Sequence, residues 1–145
     1  MFAPSDDRRP LILVGVDGSE TSMRAGAYAA GMASRQNSRL TCLYVHSPNV
    51  LGASVPAVVA ATVEHNSTIA QELREMIEAQ APQLGLVVTF VERYGSPYAA
   101  LVQLADEIRA DAIVVGASTK SGHRFVGSLA THLVRDARWP VIVVP

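Results

Sequence analysis

Apolar residues recur along this chain in two alternating rhythms. Five short runs, at residues 11–16, 40–46, 86–92, 112–116 and 141–144, are rich in β-branched side chains, and most are apolar on both faces. Such runs read as strands of a parallel sheet that is covered from both sides. Between them the apolar positions switch to a spacing of three to four: Ala25, Tyr28, Ala29 and Met32; Val59, Val63, Ala70, Leu73 and Ile77; Leu101, Leu104, Ala105 and Ile108; Leu129, Leu133, Val134 and Ala137. Each set predicts a helix with one apolar stripe. Strand and helix alternate to the end, which predicts an α/β three-layer sandwich with right-handed crossovers. The segment SPNVLGASVPA, residues 47–57, interrupts the rhythm with two prolines and a glycine and reads as a loop with one mobile end.

Composition narrows the class. A length of 145 residues with 49% hydrophobic content predicts one domain over 1–145, with a loose start at 1–9. Twelve basic residues face thirteen acidic ones without a basic block, so nucleic acid is not an expected partner. The apolar runs are too short to span a bilayer and no leader pattern opens the chain, so a soluble cytoplasmic protein is expected, with no membrane partner. The single cysteine, Cys42, lies in an apolar run and reads as a small core residue in a reducing compartment.

In a parallel α/β sheet, ligands bind beyond the carboxyl ends of the strands. Three turns therefore hold the candidate chemistry. In VDGSE, Asp17 ends the first strand, Gly18 permits a tight turn and Ser19 caps a helix; Asp17 serves either that turn or a ligand hydroxyl. YVHS follows the second strand. After the fourth, GASTKSGHRFVGS carries Gly116, then Lys120, His123 and Arg124 as a basic rim, then Gly127 and Ser128 at a predicted helix opening. A glycine loop leading into a helix N-terminus suits an anion, although a plain turn with a cap explains the same residues. Gly15 and Gly18 lack the dinucleotide fingerprint spacing, and Gly122 to Ser128 lacks the P-loop lysine. Neither a nucleophile elbow nor a zinc-type pairing of His46, His65, His123 and His132 is written; these histidines read as surface or turn residues, and no metal ligand or catalytic residue is expected. Trp139, before Pro140, reads as a packing residue.

Four blocks taken in order carry a resemblance: ILVGVDGSETSMRAGAYAAGMA, LTCLYVH, YGSPYAALVQLADEIRADAIVVGAS and GSLATHLVRDARWPVIVVP. With them the chain resembles the universal stress protein family over nearly its full length. The resemblance implies a Rossmann-like, adenine nucleotide alpha hydrolase-like fold with five parallel strands in the order 3-2-1-4-5. It also implies a homodimer formed through the last strand, 141–144. One branch of the family binds ATP through G-x2-G-x9-G-[ST]; this chain keeps Gly116, Gly127 and Ser128, has Thr119 where the second glycine would stand, and is shorter by two residues. By position, Asp17 would meet the adenosine, Val45 the adenine through its backbone, and Gly116, Gly127 and Ser128 the phosphates. Val16 and Val115 would wall the pocket, with Ser118, Thr119 and Leu129 completing it. The implied function is a stress-response regulatory module binding ATP, AMP or cyclic AMP, with or without magnesium. A nucleotide-independent dimeric adaptor, its pocket blocked by Thr119 or Phe125, is the alternative, and slow ATP hydrolysis the most that enzyme chemistry would amount to.

Overall fold

The computed structural model describes residues 7–47, 56–120 and 123–145. In chain order the elements are β1 (Leu11–Val16), α1 (Glu20–Gln36), β2 (Arg39–His46), α2 (Pro56–Gln80), a 3-10 turn (Pro82–Leu84), β3 (Val88–Tyr94), α3 (Pro97–Ile108), β4 (Ala112–Gly116), β5 (Ser118–Lys120), β6 (His123–Phe125), α4 (Gly127–Asp136) and β7 (Val141–Val144). The main sheet runs β3-β2-β1-β4-β7, all parallel. Counting only its own strands, this is the 3-2-1-4-5 order that the resemblance implied.

The period-two alternation of the strands sorts the core into two layers. Ile12, Val14, Leu40 and Cys42 point to one face, where α1 and α2 bury Ala25, Ala29, Ala70 and Leu73. Leu13, Leu43, Ile113 and Val115 point to the other, under Leu101, Leu104, Ala130 and Leu133 of α3 and α4. Trp139 packs at the margin of this second layer, with the Arg138 guanidinium 4.4 Å above its ring. Burial pushes the Cys42 thiol up to about 12, so it remains protonated. Among the described residues no helix is long and apolar enough to cross a membrane.

Local chemistry sets the helix ends. The Ser19 hydroxyl accepts from the Ser22 N–H and opens α1, and Ser96 does the same for α3 ahead of Pro97 at the first helical position. Asn37, Arg109 and Ala137 end α1, α3 and α4 in left-handed geometry.

Several expectations change. Strand β3 lies two residues later than the alternation suggested, because the Leu86 N–H is engaged by the Ala81 carbonyl in the preceding turn, while Arg93 and Tyr94 pair with Val45 and His46. Residues 118–125, expected as loop, contain an antiparallel hairpin with Thr119 opposite Arg124. Tyr28, Val63 and Val134 are exposed although their spacing put them on apolar stripes, and Ala137 lies past the end of α4 as its cap. Of the start expected to be loose, residues 1–6 lie outside the described residues; at its end the Arg9 N–H and guanidinium both donate to the Asp7 carboxylate, and Arg39 reaches the Arg9 carbonyl. The loop expected at 47–57 likewise falls largely outside them, at 48–55, as do the side chains of Lys120, His123, Arg124 and Phe125.

Candidate functional site

Parallel strands deliver their carboxyl ends to one edge of the sheet, and there β1, β2 and β4 meet the first turns of α1 and α4. Between them lies a cavity of about 580 Å3, within the range of about 300–1,000 Å3 usual for small-molecule sites. All ten residues singled out in the sequence border it: Val16 and Asp17 from β1 and its turn, Val45 from β2, Val115 and Gly116 from β4, Ser118 and Thr119 from the hairpin, and Gly127, Ser128 and Leu129 from α4. Thr119 stands at the wall of this space; Phe125, the other residue that the adaptor alternative named as blocking the pocket, has its side chain outside the described residues.

The β1 turn is rigid. Asp17 Oδ1 accepts from the Ser19 N–H at 2.8 Å, while the Asp17 N–H donates to Ser22 Oγ at 3.1 Å. Gly18 supplies the positive φ of 85° that the turn requires. Partial burial works against the charge on Asp17, but hydrogen bonds from Ser19 and Ser22 outweigh it and hold the carboxyl below its ordinary value. Asp17 is therefore a carboxylate at neutral pH, fixed in direction. Among the described residues lining the cavity it is the one acidic side chain, and no lysine or arginine lines it.

The β4 turn is held just as firmly. The Thr21 hydroxyl donates to the buried Ala117 carbonyl at 2.6 Å, and the Ala117 N–H donates to the Val144 carbonyl at 2.7 Å. Gly116 lies so close to α1 that a Cβ there would stand 2.5 Å from the Thr21 carbonyl carbon and 2.7 Å from the Ser22 nitrogen. Its glycine character is thus demanded by strand-to-helix packing, whichever ligand the cavity takes.

At α4 the hydrogen-bond inventory is incomplete in a useful way. Val126, the residue before the helix, has helical geometry and provides no side-chain cap, in contrast to Ser19 and Ser96 at α1 and α3. Ser128 lies inside the helix and is exposed, so it does not act as the cap that the plain-turn reading assumed. The first residues of α4 therefore border the cavity with no side-chain acceptor for their N–H groups among the described residues, at the positive end of the helix dipole. Gly127 adopts φ +83°, and its carbonyl takes the Thr131 hydroxyl at 2.7 Å.

The sequence did not point to α2, which contributes His65, Asn66 and Ile69 to the cavity. Asn66 Oδ1 is 3.4 Å from the hydroxyl of the buried Tyr44. Spacing within this helix gives its apolar stripe but says nothing about which turn crosses the cleft. His46 also corrects an expectation. It is buried, with Nε2 2.9 Å from Glu92 Oε1 and its ring stacked on Tyr94. Among the described residues no group of three histidine, cysteine or acidic side chains is arranged to hold a metal ion.

The Glu92 cluster yields a pH prediction. Hydrogen bonds from Arg74, then His46, hold the Glu92 carboxyl below its ordinary value of 4.5. A carboxyl lowered by folding stabilises fully above the unfolded value and loses that contribution as pH falls through the lower folded one. The melting temperature of Glu92→Gln should therefore lie below that of the parent at pH 6, and the gap should narrow below pH 4.5. A gap unchanged in calorimetry between pH 6 and pH 3.5 would contradict this assignment.

Comparison with known proteins gives a consistent result. The model of the universal stress protein family matches residues 10–145. A universal stress protein of Methanocaldococcus jannaschii is 28% identical over 137 residues, covering 92% of this chain and 80% of that protein. Among solved structures, universal stress protein UspA from Lactobacillus plantarum superposes with a TM-score of 0.76 at 27% identity, over 97% of this chain and all of that one. A universal stress protein solved in complex with cAMP superposes with a TM-score of 0.67 at 28% identity, over 96% of this chain and 99% of that one.

Proposed function

The chain belongs to the universal stress protein family, and from that membership we propose that it is a stress-response regulatory module whose cleft binds an adenine nucleotide, ATP first and AMP or cyclic AMP as further candidates. The observation that carries this reading is the α4 N-terminus, uncapped and facing a 580 Å3 cavity across from a fixed carboxylate. A helix N-terminus favours an anion by typically about 0.3–1 kcal/mol per exposed charge. A carboxylate suits the opposite, hydroxyl-bearing end of a nucleoside phosphate. The structure solved with cAMP, at 28% identity, supports an adenine nucleotide as the class of ligand.

The assignment by residue carries the family resemblance onto the side of the cavity where each residue stands. Asp17 accepts from ribose hydroxyls, the Val45 backbone meets the adenine edge, and Val16 and Val115 sandwich its apolar faces. Gly127, Ser128 and Leu129 offer N–H groups to phosphate, with the Ser118 and Thr119 hydroxyls on the hairpin side. Gly116 shapes the floor. Asp17 belongs to the nucleoside end, so a magnesium ion would be carried by the phosphates. In this reading the nucleotide is a regulatory ligand and turnover is not required.

Isothermal calorimetry on the folded protein with ATP, AMP and cyclic AMP tests the proposal. Heat with one-to-one stoichiometry from at least one of them is expected, and silence from all three would overturn it in favour of the adaptor. We further propose a homodimer through β7, whose Val141–Val144 run is uncharged and pairs within the sheet on one side only. Such an edge is commonly covered by a partner strand. Light scattering at micromolar concentration should give twice the 15.4 kDa chain mass; a monomer would count against it. The free thiol Cys42 suits a cytoplasmic setting.

A further inference from the structure

A second cavity, of about 260 Å3, lies between α1 and α2 on the sheet face formed by Val16, Leu40 and Cys42. Val16, whose side chain also borders the nucleotide cleft, is the residue that the two cavities share. The floor is deep: Val16, Leu40, Cys42 and Leu73 are each at most 5% exposed. Met23 and Met76 flank it, and Gln80 and Leu84 stand at the mouth. Among the described residues no charged side chain lines it; the polar groups are the Gln80 amide and the Cys42 thiol, which has no hydrogen-bond partner there.

The wall on the α1 side is built from Gly26, Ala27 and Ala30. Packing does not demand the glycine, since a Cβ at Gly26 would meet Val16 Cγ1 at an ordinary 3.7 Å. A glycine inside a helix lowers helix propensity, and unfilled apolar volume forfeits contacts that a larger side chain would supply. The chain thus keeps open a space that one larger residue would fill. Leu84 and Val87 are exposed nearby, leaving apolar surface around the entrance.

We propose that this cavity is a second ligand site, made for a small uncharged apolar molecule of one or two fused rings. A volume just under the range of about 300–1,000 Å3 for drug-sized ligands sets the size. The lack of charge in the lining excludes ions, which would be desolvated without a partner. The two methionines give the walls a deformable, polarisable surface suited to an aromatic ring. Gln80 at the mouth provides one polar contact for orientation. The site stands independently of nucleotide binding.

Indole serves as the probe, titrated into the full chain carrying 13C-labelled methionine methyls. Met23 and Met76 line the cavity, whereas Met32 packs against the same core outside it. The Met23 and Met76 resonances should move together and saturate while Met32 stays in place. Gly26→Leu and Ala27→Leu should each weaken the apparent affinity at least tenfold. Equal movement of Met32, no saturation up to the solubility of indole, or unchanged binding in both folded variants would overturn the proposal. Should Gly26→Leu fail to fold, Ala27→Leu decides alone, because Ala27 is exposed at the cavity wall and a longer side chain there is free to enter from solvent.

Discussion

Gly116→Ala is expected to destabilise the protein by about 3 kcal/mol, at the upper end of what overpacking usually costs. The added Cβ would stand 2.5 Å from the Thr21 carbonyl carbon and 2.7 Å from both the Thr21 oxygen and the Ser22 nitrogen. All three are backbone atoms, so no rotamer change relieves the clash. Moving α1 outward would break the 2.6 Å bond from the Thr21 hydroxyl to the buried Ala117 carbonyl. For a chain of this size about 3 kcal/mol corresponds to a fall of roughly 6–12 °C in melting temperature. Gly15→Ala is the control, since its Cβ would find only the Leu101 and Val115 side chains at 3.6 Å or more. Equal melting temperatures for the two variants would show that the strand-to-helix approach is looser than described.

The second large effect concerns the nucleotide. Gly127→Asp should reduce nucleotide affinity by about 100-fold or more, equivalent to roughly 2.7 kcal/mol. Two causes act together. The carboxylate would occupy the positive end of α4 where phosphate is proposed to sit, and the residue would have to hold φ +83° with a Cβ 2.8 Å from that of Ser118. Asparagine shares the size of aspartate and also tolerates left-handed geometry, so Gly127→Asn separates charge from strain. If phosphate binds at α4, Gly127→Asp will bind at least ten times more weakly than Gly127→Asn, in calorimetry on protein shown to be folded by circular dichroism. Equal affinities would remove the phosphate from this helix end and leave strain as the whole effect.

The legibility of this fold in its sequence varies with burial. Strands covered on both sides, β1 and β4, lie at the residues predicted, because continuous apolar runs leave no other place for them. At the sheet edge β3 slides by two residues, since alternation there is weak and pairing with β2 sets the register. The pairing of β5 with β6 is not legible because these short strands carry no apolar alternation; Phe125, opposite Ser118, is their one apolar position.

The site divides in the same manner. Asp17 and Ser19 were readable because turn and helix-end chemistry is local: each acts on backbone within a few residues. Which glycine serves packing and which serves a ligand was not readable. Gly116 and Gly127 look alike in the sequence, yet one is pressed against α1, 95 positions earlier in the chain at Thr21, while the other opens a helix.

The sequence by itself determined the layer order, the strand directions and the edge of the sheet where a ligand can bind, because hydrophobic periodicity and capping act over a few residues. Tertiary structure alone decided that α2 brings His65 and Asn66 to the cleft, that His46 is buried against Glu92, and that α1 and α2 leave an apolar space between them. Those outcomes depend on how helices cross the sheet, and the crossing is fixed by the summed packing of residues far apart in the chain.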